Sequence, residues 1–135
     1  MQQVTAHTLP KEERLYGRST LDRLFGEGSR SMSAFPIRAV YHIGLVQENT
    51  PQVRMMVSAP KRNLRHAVDR NRVKRQIREA YRLNKEYIVN DRNAAKPQSV
   101  MIAFIWLDKK LWPSHDVQRK VKNLLQRISE KTYGC

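Results

Sequence analysis

The sequence has almost no cysteine and no long apolar run. Its single cysteine, Cys135, excludes an internal disulfide, which suits a reducing compartment. The longest apolar segment, residues 100–107, has eight residues, whereas a membrane-spanning helix needs about 20. The first 30 residues lack the apolar stretch of a signal peptide. We therefore expect a cytoplasmic protein that does not enter a membrane.

Acidic residues are also scarce. The chain has 12 Asp and Glu against 26 Lys and Arg, a net charge of +14. No paired carboxylates suggest a two-metal nuclease, and the four histidines have no His or Cys partner at zinc-ligand spacing. We expect no cofactor or metal to be bound by the protein itself. A field of this sign attracts polyanions: nucleic acid is the first candidate and an anionic membrane surface the second, although no basic helix carries a large membrane-binding apolar face.

The pattern of apolar residues predicts one domain over residues 19–131, between a basic mobile arm (1–18) and a short tail (132–135). Helix, strands, helix, strand and helix follow in that order, which favours a two-layer α+β sandwich. Trp106 lies in the apolar run and is predicted to be a core residue. The predicted elements are a helix at 19–25, a strand hairpin at 35–44 and 53–59 with a polar turn at 47–51, a helix at 67–87, a strand at 100–107 and a helix from 114 to about 130.

The helix at 67–87 is strongly basic. Residues 61–85 hold ten Lys and Arg but two acids. At about 100° per residue, Val73, Ile77, Ala80 and Tyr81 share one arc of the helix, and most cations fill the adjacent arc. A charge run is usually a solvated face with internal salt bridges, but two acids cannot pair ten bases. We therefore predict a polyanion-binding ridge, formed by Arg70, Asn71, Lys74, Arg75, Arg78 and Arg82, with Arg72 behind it near Glu79.

The start of this helix carries a family motif. The sixteen residues Ala67 to Arg82 read AVDRNRVKRQIREAYR and closely resemble the bacterial ribonuclease P protein motif, roughly A-V-x-R-N-R-[IV]-K-R-x-x-R-E-[AS]-[FY]-R. The order of elements agrees over about residues 10–130. The resemblance implies a small basic protein that joins a catalytic RNA to remove the 5′ leader from precursor tRNA. It also implies a sheet of about four strands with a left-handed βαβ crossover, against the usual right-handed preference.

The same resemblance implies partners and a division of labour. The partners are ribonuclease P RNA and precursor tRNA, with one protein per RNA, and the RNA carries the Mg²⁺ that the holoenzyme requires. No catalytic residue is therefore expected in the protein. The predicted RNA-binding residues combine the motif, the basic loop before it and the other cations of this region: Lys61, Arg62, Asn63, Arg65, Arg70, Asn71, Arg72, Lys74, Arg75, Arg78 and Arg82.

Members of this family hold the single-stranded leader in a cleft between the sheet and the first helix. They often place two aromatic residues one turn apart on that helix. Phe25 fits such a stacking role, whereas Leu21 departs from the pattern. On the strands, Arg38, Met56 and Ser58 are the predicted cleft residues, because they alternate with apolar neighbours. Which face of the sheet forms the cleft stays open at this point.

Other functions are open to a protein with this charge. A ribosomal or other structural RNA-binding protein would have a similar basic surface and would bind RNA without promoting cleavage. A DNA-binding regulator would need a helix-turn-helix partner just before residue 67, where strands are predicted instead. A protein-only nuclease is disfavoured because a carboxylate cluster is missing.

Overall fold

The computed structural model describes residue 26 and residues 28–45, 53–89 and 98–133. Within these ranges four strands form one sheet alongside three helices, so the predicted α+β class is confirmed. The predicted arm (1–18), first helix (19–25) and polar turn (47–51) lie outside the described residues. The elements are β1 (Arg30–Ala34), β2 (Ile37–Leu45), β3 (Val53–Ser58), α1 (Ala67–Asn84), α2 (Glu86–Val89), β4 (Gln98–Trp106) and α3 (Ser114–Tyr133).

The order of strands in the sheet is β1-β2-β4-β3. β2 is antiparallel to β1 and to β4, whereas β3 and β4 are parallel and are joined through α1. The predicted hairpin of β2 and β3 is therefore wrong, because β4 lies between them. β4 takes this central place because it is apolar on both faces, with Met101 and Ala103 buried on one and Ile102 and Phe104 on the other. The handedness of the crossover stays a prediction.

The first strand and the turn after it differ from the sequence prediction. β1 was not predicted, since its sequence Arg-Ser-Met-Ser-Ala lacks apolar alternation and most of the strand is exposed at the edge of the sheet. The sequence predicts a strand that begins at Phe35, but this residue lies in the turn with Pro36 and is 56% exposed. β2 begins only at Ile37, after a proline that has no N–H to offer a neighbouring strand.

One face of the sheet packs against α1 and α3, and we call it the helix face. Alternate strand residues on this face join the apolar sides of both helices in a single core. Trp106 is fully buried there, as predicted. α1 ends at Asn84 and the short α2 follows Lys85, where one helix to about residue 87 was predicted, and α3 runs past residue 130 to Tyr133. Among the described helices, none has the length and apolar character of a membrane span.

Candidate nucleic-acid interface

One edge of the sheet gathers most of the loops. β3 and β4 are parallel, so both end at this edge, and α1 and α3 begin there. β2 begins there as well, because Ile37 pairs with Trp106 across the antiparallel ladder. We call this the loop edge and define it by the turn at 35–36 and the loops at 59–66 and 107–113. These segments carry five Lys and Arg (61, 62, 65, 109 and 110) against one acid, Asp108.

The basic loop before α1 is held in place by two of the predicted RNA-binding residues. Asn63 Nδ2 donates to the carbonyl oxygen of Trp106 at 3.0 Å, which ties the loop to the end of β4. Arg70 Nη1 donates to the carbonyl oxygens of Leu64 and Arg65 at 2.9 and 2.8 Å. Both side chains therefore shape the loop. Lys61, Arg62 and Arg65 stay exposed around this frame.

The cations of α1 lie on its outer side, as the helical wheel predicted. Asn71, Arg72 and Arg75 are exposed, while Lys74 and Arg78 are half-buried. Because α1 begins at the loop edge, its first-turn N–H groups point toward the same region, and His66 makes no side-chain cap there. A helix N-terminus carries a partial positive charge and adds to the field of these cations. The exposed cations and the N-terminus of α1 together form a positively charged surface that suits binding to a phosphate backbone.

A groove between α1 and the start of α3 contains Glu79, one of the two acids of α1. Arg72, Arg75, Glu79 and Ser114 line it, which places Arg72 near Glu79 as predicted. Glu79 forms an ion pair with Arg82. The hydrogen bond from Arg82 lowers the pKa of Glu79 and raises the pKa of Arg82, so both groups are charged at neutral pH. The positive charge of Arg82 is thus partly neutralised within the protein.

The sequence prediction missed Gln76, which couples the two long helices. It is 8% exposed, and its Nε2 donates to Trp112 O at 2.9 Å and to Ser114 Oγ at 3.0 Å. Helix α3 begins at Ser114, and the hydroxyl of this residue accepts the second bond. The available signal was a polar residue at an apolar position of the helical wheel, beside Val73 and Ile77.

Lys109 and Lys110 were also missed. Both are exposed and lie in the loop after β4, at the same edge as the basic loop. In the sequence, these residues could be recognised only as a lysine pair directly after a buried strand. It was weak because only the parallel pairing of β3 and β4 brings these two loops together.

Arg38, Met56 and Ser58 lie on the sheet face opposite the helices. Arg38 and Ser58 both pair with Ile105, and Met56 pairs with Ala103 in the next row. Val40, Met101 and Ala103 form a small apolar cluster on this face, with Met56 and Ile105 packed against it. The three strand residues predicted for the cleft therefore share one surface. Leu21 and Phe25, the predicted helix residues of the cleft, lie outside the described residues.

Two alternative chemistries find no support in the described part of the chain. No three His, Cys, Asp or Glu side chains meet there in an arrangement that would hold a metal ion. Residues 53–66, just before α1, form β3 and a loop, so this stretch supplies no upstream helix for a helix-turn-helix pair.

Comparison with known proteins identifies the family. The family model for ribonuclease P matches residues 9–129. The ribonuclease P protein component of Porphyromonas gingivalis is 40% identical over 121 residues, which cover 90% of this chain and 86% of that protein. The corresponding protein of Chlorobaculum tepidum is 36% identical over 105 residues, 74% of this chain and 68% of that protein.

Solved structures share the fold. The RNase P protein of Thermotoga maritima superposes with a TM-score of 0.66 at 24% identity, covering 85% of this chain and 96% of that chain. A mutant RNase P protein of Staphylococcus aureus gives 0.66 at 19% identity, covering 89% and 90%. The motif in α1, the sequence relatives and the fold agree. This chain therefore belongs to the ribonuclease P protein family and is a protein subunit of the endoribonuclease that processes tRNA.

Proposed function

We propose that this subunit binds ribonuclease P RNA through α1 and the loop edge. We further propose that the sheet face opposite the helices holds the 5′ leader of precursor tRNA. The observation that carries the first part is the convergence at one edge of two helix N-termini, two basic loops and the exposed cations of α1. In water these like charges repel, and a phosphate backbone supplies the closely spaced anions that relieve the repulsion. Arginine adds bidentate hydrogen bonds to phosphate oxygens.

The protein's role in this proposal is to bind and orient. Mg²⁺ of the holoenzyme is held by the RNA, and one protein serves one RNA in the cytoplasm. The face with Arg38, Met56 and Ser58 offers a cation, an apolar surface and a hydroxyl, which suit the phosphates and unstacked bases of a single strand. Phe25, in the predicted helix at 19–25, supplies the stacking side chain of the cleft.

Leader removal is the direct test of the activity. The purified protein is added to ribonuclease P RNA at low Mg²⁺, and cleavage of precursor tRNA is measured. A rise in cleavage supports the subunit role. Binding of RNA without any rise would leave a structural RNA-binding protein as the better description.

The docking surface is tested by salt titration of RNA affinity. Removing Arg72 or Lys74 is expected to lower the slope of log K against log salt by about one unit for each lost phosphate contact. Lys131→Ala is the matched control, since it removes one exposed cation at the far end of α3. Unchanged affinity and slope in both α1 variants would show that α1 is not the docking surface.

The leader cleft is tested by comparing two substrates. Phe25→Ala and Arg38→Ala are expected to weaken binding of precursor tRNA by the holoenzyme and to spare mature tRNA, which has no leader. Stacking of one base contributes about 1–3 kcal/mol, so roughly a 5- to 150-fold effect is expected for Phe25. Equal losses on both substrates would contradict the cleft assignment.

A further inference from the structure

A pair of aromatic side chains lies at the loop edge. It belongs neither to the cations of α1 nor to the sheet face that is proposed to hold the leader. Phe35 lies at the tip of the β1–β2 turn with 56% of its surface exposed. Its ring meets the half-buried ring of Trp112 nearly edge-on, with 6.2 Å between centroids and 67° between planes. Large aromatic side chains are costly to leave in water, and exposed ones commonly mark binding surfaces.

Hydrogen bonds orient the Trp112 indole and hold the backbone of the turn that carries Phe35. Trp112 Nε1 donates to Asp108 Oδ2 at 2.8 Å, which orients the indole. Leu107 N donates to Pro36 O at 2.7 Å, so the turn that carries Phe35 is bonded to the loop that carries Trp112. Gln76 of α1 donates to Trp112 O. A partner that contacts these rings therefore orders little of the protein on binding, which lowers the entropic cost.

The surroundings of the pair are cationic. Lys109 and Lys110 are exposed between Asp108 and Trp112 in the same loop. The basic loop with Lys61 and Arg62 lies beside it, because Asn63 is bonded to the carbonyl of Trp106 at the end of β4. Asp108 is the one acid in the three segments that define the loop edge, and it already accepts from Trp112 Nε1 and from the backbone N–H of Lys109 at 2.7 Å. An exposed aromatic ring with cations in the neighbouring loops fits a nucleotide with its base unpaired.

We propose that Phe35, supported by the nearly perpendicular ring of Trp112, is a stacking platform for an unpaired base of ribonuclease P RNA, with Lys109 and Lys110 contacting the adjoining phosphates. This inference rests on the proposed function, in which α1 and the loop edge dock that RNA. Within the loop edge, it adds a contact that needs an unpaired base. The bonds from Gln76 and Asn63 then align the platform with the cations of α1.

The test separates stacking from charge. Phe35→Leu keeps an apolar side chain but removes the ring, and it is expected to weaken binding of ribonuclease P RNA, without substrate, by roughly 5- to 150-fold. The slope of affinity against salt is expected to stay constant, because stacking releases no counterions. Phe35→Trp should restore the affinity, whereas Lys110→Ala should lower the slope by about one unit.

A control and a second readout complete the design. Tyr87→Leu removes another exposed aromatic, beyond the far end of α1, and should not change the affinity. RNA is expected to quench the fluorescence of Trp112, and the signal is interpretable because Trp106 is fully buried. Unchanged affinity in Phe35→Leu would overturn the platform. So would a loss seen only with leader-bearing substrate, which would place the contact on the leader.

The two proposals fail separately. If Arg72→Ala and Lys74→Ala weaken RNA binding while Phe35→Leu does not, the platform is wrong and the docking surface stands. If none of the three variants weakens it, the docking surface itself is wrong.

Discussion

The predicted RNA-binding residues have two different roles in this protein, although the sequence places them in one run. Arg70 uses Nη1 to hold two carbonyl oxygens of the basic loop, and Asn63 ties the same loop to β4. Arg72 and Arg75 are exposed along a groove. The first pair shapes the surface and the second pair presents charge. Substitution of Arg70 is therefore expected to disturb the loop as well as the charge.

Glu79 weakens the positive ridge of α1, and its removal should strengthen RNA binding. The side chain pairs with Arg82 and lines the groove with Arg72 and Arg75. Glu79→Gln removes one negative charge facing the phosphates, which is expected to raise RNA affinity about two- to fivefold at low salt. The measurement is a binding titration at two salt concentrations. Glu130→Gln, an equal charge change near the end of α3, should do less; an equal gain would show that only net charge matters.

Asp108 should report directly on the orientation of Trp112. The hydrogen bond from Trp112 is the largest cause that lowers the pKa of Asp108, and the backbone N–H groups of Lys109 and Lys110 lower it further. Trp112→Phe is expected to raise this pKa toward the ordinary value of about 3.9, as measured by NMR titration of the carboxyl carbon. An unchanged pKa in the variant would assign the shift to the backbone N–H groups and Lys110 instead.

The same shift has a consequence for stability. Because the pKa of Asp108 is lower in the folded state, its stabilising contribution is complete above the unfolded pKa and is lost as pH falls through the lowered one. Wild type and Trp112→Phe should therefore differ less in free energy of unfolding at pH 2 than at pH 7, as measured by urea denaturation.

At the level of elements, periodic patterns predicted well where the element packs on the core. α1 and α3 carry apolar residues at helical spacing, and β4 is a short apolar run, so their positions followed from the sequence. β1 could not be found this way, because it is an exposed edge strand whose Ser-Met-Ser sequence buries little. Phe35 was misplaced because an exposed aromatic beside Pro36 resembles the start of an apolar strand.

The two faces of α1 should be separable by mutation. Ile77 is fully buried, whereas Arg75 is exposed. Ile77→Ala is expected to lower the free energy of unfolding by about 2–5 kcal/mol, measured by urea denaturation, because it leaves a cavity between α1 and its neighbours. Arg75→Ala should leave stability nearly unchanged and lower the salt slope of RNA binding by about one unit. A large loss of stability in Arg75→Ala would mean that this cation is part of the fold.

At the scale of the whole molecule, the candidate site depends on the order of strands. The motif in α1 identified the basic helix from sequence alone. Phe35, Lys109 and Lys110 could not be added, because they join the basic loop only through the parallel pairing of β3 and β4 and the antiparallel pairing of β2. That pairing is decided by which strand buries both faces, a property of the complete sheet. The wrong hairpin of β2 and β3 and the omission of these three residues from the predicted site both follow from a strand order that the sequence pattern does not give.

The net charge of +14 should also make folding sensitive to anions. Like charges at this density destabilise the compact state, and the ion pair of Glu79 with Arg82 relieves only a small part of the repulsion. The urea midpoint is therefore expected to rise with sodium chloride. It should rise further with inorganic phosphate at equal ionic strength, because phosphate binds arginine clusters. At a tenfold excess of phosphate over its Kd, this binding stabilises the folded state by about 1.4 kcal/mol.

The double variant Arg72→Ala, Arg75→Ala tests whether these arginines bind the phosphate. It should lose most of the phosphate increment and keep the chloride effect. A midpoint that is indifferent to both salts would mean that the cations are too far apart in the folded protein to repel one another.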